Sequence, residues 1–386
     1  MKFRTTTLVF SLCALSALTT SGRLSAQEGQ DQHRSSHNPK LIEFDAPEAG
    51  KVSSPYCAPY CGTFAYANND LGEVVGYYTD ANIVPHGFLR SLDGHMISFD
   101  APGAGLGADL DEGTVAYGIN DLGVIAGQFE DSNYVFHGFV RFRDGSFATF
   151  DAPEAGTGAN QGTLATSINL EGETAGYYLD ESYVVHGFVR SADGEVTSFD
   201  PPDSIYTYPC QETCLNQEGA ITGYYYDESY ILHGFLREPD GKITTVDVPG
   251  LGTGALTIAA SINPEGAITG YYSGSDNVYH GFVRTPGGHF TTFDVPAAAT
   301  GAGEGTAAFS INLLGAVTGI FLDANNATHG FSRSVDSTFA KFDAPDAGTG
   351  AGQGTRPSTN NLQGAVTGWY VDADGVNHGF VWSPAP

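Results

Sequence analysis

The chain is poor in positive charge. Its 386 residues hold 16 Lys and Arg against 44 Asp and Glu, a formal net charge of −28. A surface of that sign repels phosphate backbones and anionic headgroups, which argues against nucleic acid and anionic membrane as partners. Long apolar runs are also missing. The one candidate, residues 8–18, is too short to span a bilayer. Methionine and tryptophan are rare, at two each, and there are five cysteines. No spacing assembles a Ser-His-Asp or Cys-His set, and no nucleotide fingerprint is present.

What stands at the N-terminus is a leader pattern. Lys2 and Arg4 precede the apolar run and small residues follow it, so a secretory signal peptide cleaved after Ala26 is expected. Cys13 lacks the small residue that a lipoprotein signal places just before its cysteine, so export without a lipid anchor is expected. The expected destination is the periplasm or the outside of the cell. Cleavage removes three basic residues and no acid, which takes the charge three below −28, to −31. Residues 27–40 are polar and are expected to be disordered. The four remaining cysteines form two Cys-x3-Cys pairs. An even count in an exported protein favours disulfides, here Cys57–Cys61 and Cys210–Cys214. A zinc site from all four would need loops of non-neighbouring repeats to meet, so no metal is assigned to them.

One block repeats seven times. Its anchor is His-Gly-Phe, at His86, His137, His186, His233, His280, His329 and His378, with steps of 51, 49, 47, 47, 49 and 49 residues. In the third block, residues 162–168, 173–179, 184–191 and 195–200 read as four short strands separated by turns. The turns carry Asn169 with Gly172, Asp180-Glu181-Ser182, and Asp193-Gly194. Four antiparallel strands in about 48 residues make one propeller blade. The ends complement each other. Residues 41–47 form a lone fourth strand, and the chain finishes on a third strand at His378–Trp382. Joining them would complete the last blade and remove both sheet edges. The expected fold is therefore all-β, a seven-bladed β-propeller over residues 41–386, closed by the N-terminal strand. A stacked β-solenoid is the alternative, and it would not need complementary ends.

The units resemble the HAF extracellular repeat family, named for His-Ala-Phe. The resemblance rests on Ile119-Asn120-x-x-Gly123, then Gly127, then His137-Gly138-Phe139, with equivalents in the other units. It covers nearly all of residues 41–386. The chain departs from the family name by placing Gly where Ala is expected in all seven anchors. The resemblance implies an exported bacterial repeat protein, and it implies no activity.

Candidate chemistry has to be separated from repeat geometry. The seven anchor histidines could bind metal or shuttle protons. One per blade, they are spread apart, and a blade-internal hydrogen bond is the expected job. A carboxylate ends every fourth strand: Asp45, Asp100, Asp151, Asp200, Asp247, Asp294 and Asp343. These acids would cap the following loop or pair with His or Arg. The alternative is an acidic ring that gathers Ca²⁺ or a cationic ligand. Arginine follows the anchor in six units, at Arg90, Arg141, Arg190, Arg237, Arg284 and Arg333, and reads as an ion-pair partner; Trp382 takes the seventh place. The Gly-rich loops at 154–162 and 346–354 lack the Lys of a phosphate cradle and read as crossovers. Asp323-Ala324-Asn325-Asn326 and Asp372-Ala373-Asp374-Gly375 lack the distal Glu of a calcium loop and read as hairpins.

Function in a repeated array is expected where symmetry breaks. The breaks are the two cysteine loops, residues 109–112, Tyr206-Thr207-Tyr208, Arg356-Pro357 and Trp369. Glu112 and Arg356 sit at the entry of inner strands and are the candidate ligand contacts. The expected function is a non-catalytic binding scaffold for an extracellular glycan, peptide or envelope protein, acting as a monomer without a resident cofactor. The alternative is a propeller lyase or hydrolase with a carboxylate-lined, Ca²⁺-binding funnel.

Overall fold

A computed structural model describes residues 39–50, 61–107, 112–209, 213–252 and 254–385. These residues are all-β: 28 strands and no helix. Among the described residues no helix is long and apolar enough to cross a membrane. The strands fall into antiparallel units that follow the repeat. Unit 3 consists of Gln161–Ile168, Thr174–Leu179, Val185–Arg190 and Val196–Phe199, each within one residue of the sequence reading. The units are numbered by their first strands: Gly62–Asn68, Gly113–Ile119, Gln161–Ile168, Ser204–Pro209, Leu256–Ile262, Thr306–Ile311 and Gly354–Asn360. Unit 7 supplies three strands of its own. Its fourth is Lys40–Phe44, paired antiparallel to Asn377–Ser383 from Lys40↔Ser383 to Phe44↔Gly379.

The strand glycines have a steric cause. A Cβ on Gly176 would collide with the Leu164 carbonyl of the first strand, and Gly76 meets Phe64 in the same way. The anchor glycines face a different neighbour. A Cβ on Gly187 would lie 2.7 Å from the Phe199 ring of the fourth strand. The anchor phenylalanines Phe88, Phe139, Phe188, Phe235, Phe282, Phe331 and Phe380 are wholly buried. Each contributes roughly 1.5–3 kcal/mol by leaving water.

The apolar clusters lie between consecutive units. Ala67, Val75 and Phe99 of unit 1 meet Ile125, Phe129 and Phe139 of unit 2. The same packing joins unit 7 to unit 1, where Phe44 and Val381 meet Ala65, Val74 and Phe88. In five of the six units that carry it, the Arg after the anchor belongs to this packing and is not an ion-pair partner. Arg90 lies over Phe44 at 4.7 Å, Arg141 over Phe99 at 4.6 Å, Arg190 over Phe150 at 4.8 Å, Arg237 over Phe199 at 5.1 Å and Arg333 over Phe293 at 4.8 Å. Burial pulls these guanidinium pKa values down. The π face of the preceding unit takes the charge in place of a carboxylate. Trp382 holds the slot in unit 7, stacked on Phe342 at 4.5 Å.

The turn asparagines bind the units to one another. Asn69 Nδ2 donates to the Asn120 carbonyl, Asn120 to Asn169, Asn169 to Asn216 and Asn216 to Asn263. Asn263 donates to Asn312, Asn312 to Asn361, and Asn361 back to Asn69 at 3.0 Å. Each side-chain oxygen also caps its own turn, as Asn120 Oδ1 does by accepting from Leu122 and Val124. None of these Asn residues has a positive φ; the glycine three positions on carries it, at 73° for Gly123.

Candidate functional site

Each anchor His is built into its own unit. The third strand carries the ring and the fourth strand ends on the Asp that receives it. Nδ1 lies 2.8 Å from Asp100 in His86, 2.9 Å from Asp151 in His137 and 2.7 Å from Asp200 in His186. His233–Asp247, His280–Asp294 and His329–Asp343 repeat this at 2.7, 2.8 and 3.0 Å. In unit 7 the partner of His378 is Asp45, 333 positions away in sequence, at 2.9 Å. An aromatic of the second strand stacks on every ring, such as Tyr178 on His186 at 5.1 Å.

The other ring nitrogen is turned to a second carboxylate in six units. Nε2 of His86, His137, His186, His233, His329 and His378 faces Asp80, Asp131, Asp180, Asp227, Asp323 and Asp372 at 3.3–4.0 Å. Those acids are held by the hairpin. Asp372 Oδ1 accepts from Asp374 and Val376, and Asp323 Oδ1 accepts from Asn325 and Ala327. Unit 5 has Gly274 at this place, so among the described residues the one carboxylate paired with His280 is Asp294. The pKa values of His86, His137 and His378 are raised, first by the hydrogen bond to Asp100, Asp151 or Asp45, against the opposing effect of burial. The seven terminal carboxylates are thus each tied to one His and are not brought together. Among the described residues no three His, Cys, Asp or Glu side chains group as metal ligands.

The two expected ligand contacts part company. Glu112 is only 8% exposed, and its Oε2 accepts from the Gly107 amide at 2.7 Å. It clamps its own crossover loop and is not available to a ligand. Gln161, Glu304 and Gln353 do the same, accepting from Gly158, Gly301 and Gly350 at 2.8, 2.6 and 2.9 Å. The sequence hint was a Glu or Gln just before the Gly that opens the first strand. Arg356 is half-buried on the first strand of unit 7, directly opposite Trp369. Its Nη2 donates to the Gly352 carbonyl at 3.0 Å.

Trp369 leads to a wall of aromatic side chains that crosses units 7, 1 and 2. It lies 6.0 Å from Phe64 and 5.5 Å from Tyr66. Tyr66 reaches Tyr77 at 5.8 Å and Tyr117 at 5.2 Å. Tyr66 and Tyr117 sit at the same bulge of successive first strands, where the register shifts between Ala65 and Ala67 and between Ala116 and Gly118. Equivalent bulges hold Thr166, Ala260, Phe309 and Ser358. A second tyrosine group, Tyr177, Tyr206, Tyr208, Tyr224 and Tyr226, spans units 3 and 4. Tyr66, Tyr77, Tyr117 and Trp369 are half-buried.

Cys57 and Cys210 lie outside the described residues; Cys61 is disulfide-bonded. Cys214 is a free thiol and not half of a Cys210–Cys214 bridge. It is wholly buried among Leu215, Ile221 and Phe235, with Sγ 4.0 Å from the Thr166 hydroxyl, and so packs as a small apolar residue. Residues 109–111 of the first symmetry break also lie outside the described set.

No family model matches the chain, and no curated protein matches it either. Solved structures do. A streptogramin B lyase aligns over 90% of this chain and 99% of its own, with a TM-score of 0.53 at 15% identity. Virginiamycin B lyase from Staphylococcus aureus covers 89% and 99%, with 0.55 at 13%. A lectin from Burkholderia pseudomallei covers 91% and 99%, with 0.51 at 9%. At these identities the likeness is one of fold. The chain is an all-β protein similar in architecture to β-propeller proteins that include both lyases and a lectin.

Proposed function

We propose that the chain is a closed seven-bladed β-propeller of the HAF type, exported, and that it works as a non-catalytic binding scaffold for glycan. Closure is supported by the asparagine cycle that returns from Asn361 to Asn69 and by the strand Lys40–Phe44 seated on unit 7. In such a ring the first strands line the central channel. The observation that carries the function is the aromatic wall beside Arg356, with Phe64, Tyr66 and Tyr117 on first strands and Tyr77 and Trp369 on the second strands next to them. Half-buried rings offer flat apolar faces to sugar rings, and Arg356 adds a donor. A lectin among the structures of similar fold is compatible with this reading.

The catalytic alternative keeps one observation. His280 alone lacks the second carboxylate, so its Nε2 is the one anchor nitrogen left without an acidic partner among the described residues. The lyases of similar fold fit that reading at the level of architecture.

The test of the scaffold is retention on immobilised polysaccharides. Trp369→Ala and Tyr66→Ala should each weaken retention about tenfold, the loss of an aromatic contact of about 1.5 kcal/mol. His280→Ala should leave it unchanged. Retention that survives both aromatic substitutions would remove the wall from the account.

A further inference from the structure

The crossover into unit 5 differs from its counterparts. Units 2, 3, 6 and 7 place Glu112, Gln161, Glu304 or Gln353 before the first strand, and each clamps a glycine amide of its loop. Those loops are also tethered to the second strand, as Gly156 is to the Leu179 carbonyl and Gly348 to Val371. In unit 5 the clamp position is Ala255, and the described residues of this loop make neither contact. Gly250, Gly252 and Gly254 all have positive φ, with nothing within 4 Å of where a Cβ would stand. Gly250, Gly252 and Gly254 therefore stand clear of neighbouring side chains and border a cavity of about 300 Å³.

The cavity has a polar side and an apolar side. His233 and Asp247 line the first, and Ile231, Leu251 and Ala255 line the second. Asp247 uses Oδ2 on His233 at 2.7 Å, which leaves Oδ1 to accept from a ligand hydroxyl. Asp227 stands behind the ring, 3.5 Å from Nε2, and Tyr225 stacks on it at 5.2 Å, so the imidazole is fixed in place. The volume is at the small end of small-molecule sites. One carboxylate, Asp247, and no Arg or Lys in the lining disfavour an anion. Acceptors on one wall and aliphatic side chains on the other match a sugar ring, which has hydroxyls on its rim and C–H bonds on its face.

We propose that this cavity between units 4 and 5 binds one neutral monosaccharide residue, with Asp247 accepting from its hydroxyls and Leu251 and Ile231 packing against its ring. The proposal rests on the glycan-scaffold reading and locates a second contact away from the aromatic wall.

Ala255→Gln tests it, because Gln at this position is what units 3 and 7 already carry. The side chain should fill the cavity and restore the clamp. The full mature chain is titrated with neutral hexoses, deoxyhexoses, hexosamines and uronates, followed by saturation-transfer NMR and calorimetry. The expected result is binding of a neutral sugar that Ala255→Gln weakens at least tenfold with an unchanged or higher Tm and that Asp247→Asn also weakens. Neutral-sugar binding unchanged by Ala255→Gln would overturn the pocket and leave the scaffold standing. Preference for hexosamines or uronates would overturn the chemical class. No binding of any sugar, together with no retention on any polysaccharide, would overturn both readings.

Discussion

At the scale of single residues, the repeat is a set of paired roles, and the sequence displayed the positions better than the roles. The invariant Asn was legible as a turn residue. Its link to the next unit was not, because a side chain that caps its own loop and one that also donates across a junction leave the same pattern. Arg after the anchor suggested ion pairs because acids are abundant. The fold instead places it over the Phe ring that ends the preceding unit in five units, and Val246 replaces that Phe ahead of Arg284. The anchor glycine also has a reason of its own. In unit 3, Gly187→Ala would press a methyl group against Phe199 at 2.7 Å. We expect it to destabilise by about 1–3 kcal/mol, as overpacking does; equilibrium urea unfolding would show this, and a neutral result would mean that the ring has room to move.

The histidines give a pH signature at the same scale. His86, His137 and His378 have folded-state pKa values above the ordinary 6.5, chiefly from their Asp partners. Their extra stability is fully present below 6.5 and is lost as pH rises through the raised values. The rings are about one-fifth exposed, so the effect is screened and modest. Tm should therefore fall by a few degrees between pH 6.5 and 8.5, and imidazole NMR titrations should show elevated midpoints. A Tm that rises across this interval would contradict the assignment.

At the scale of elements, strand positions were readable because turn residues and alternation recur seven times. Unit 4 is the exception. Its first strand is described over Ser204–Pro209, and Leu215 pairs with Ile221 through an isolated bridge. The lone strand Lys40–Phe44 was also readable, since it lacked a unit of its own. It supplies Asp45 to His378, Phe44 to Arg90 and a ladder to Asn377–Ser383. A chain starting at residue 48 should expose the edge of unit 7 and lose all three contacts. We expect Tm to drop by more than about 10 °C, at roughly 2–4 °C per kcal/mol for a domain of this class, with aggregation on heating. A truncated chain as stable as the full one would show that the strand is dispensable.

At the scale of the molecule, a near-symmetric array leaves few places for specificity. Candidate site residues were only partly legible for that reason. Trp369 and Arg356 stood out as departures from the repeat, and the structure puts them opposite each other beside Tyr66. Glu112 stood out too, but it proved to be one of four loop clamps. The cavity at Ala255 was invisible in sequence because it arises from a missing side chain. The most direct measurement is incubation of the mature protein with a panel of polysaccharides and envelope fractions, scoring protein depletion and release of soluble product together. Depletion without product, reduced in Trp369→Ala, is the predicted result. Release of soluble product that is abolished by His280→Ala would contradict the scaffold and establish an enzyme.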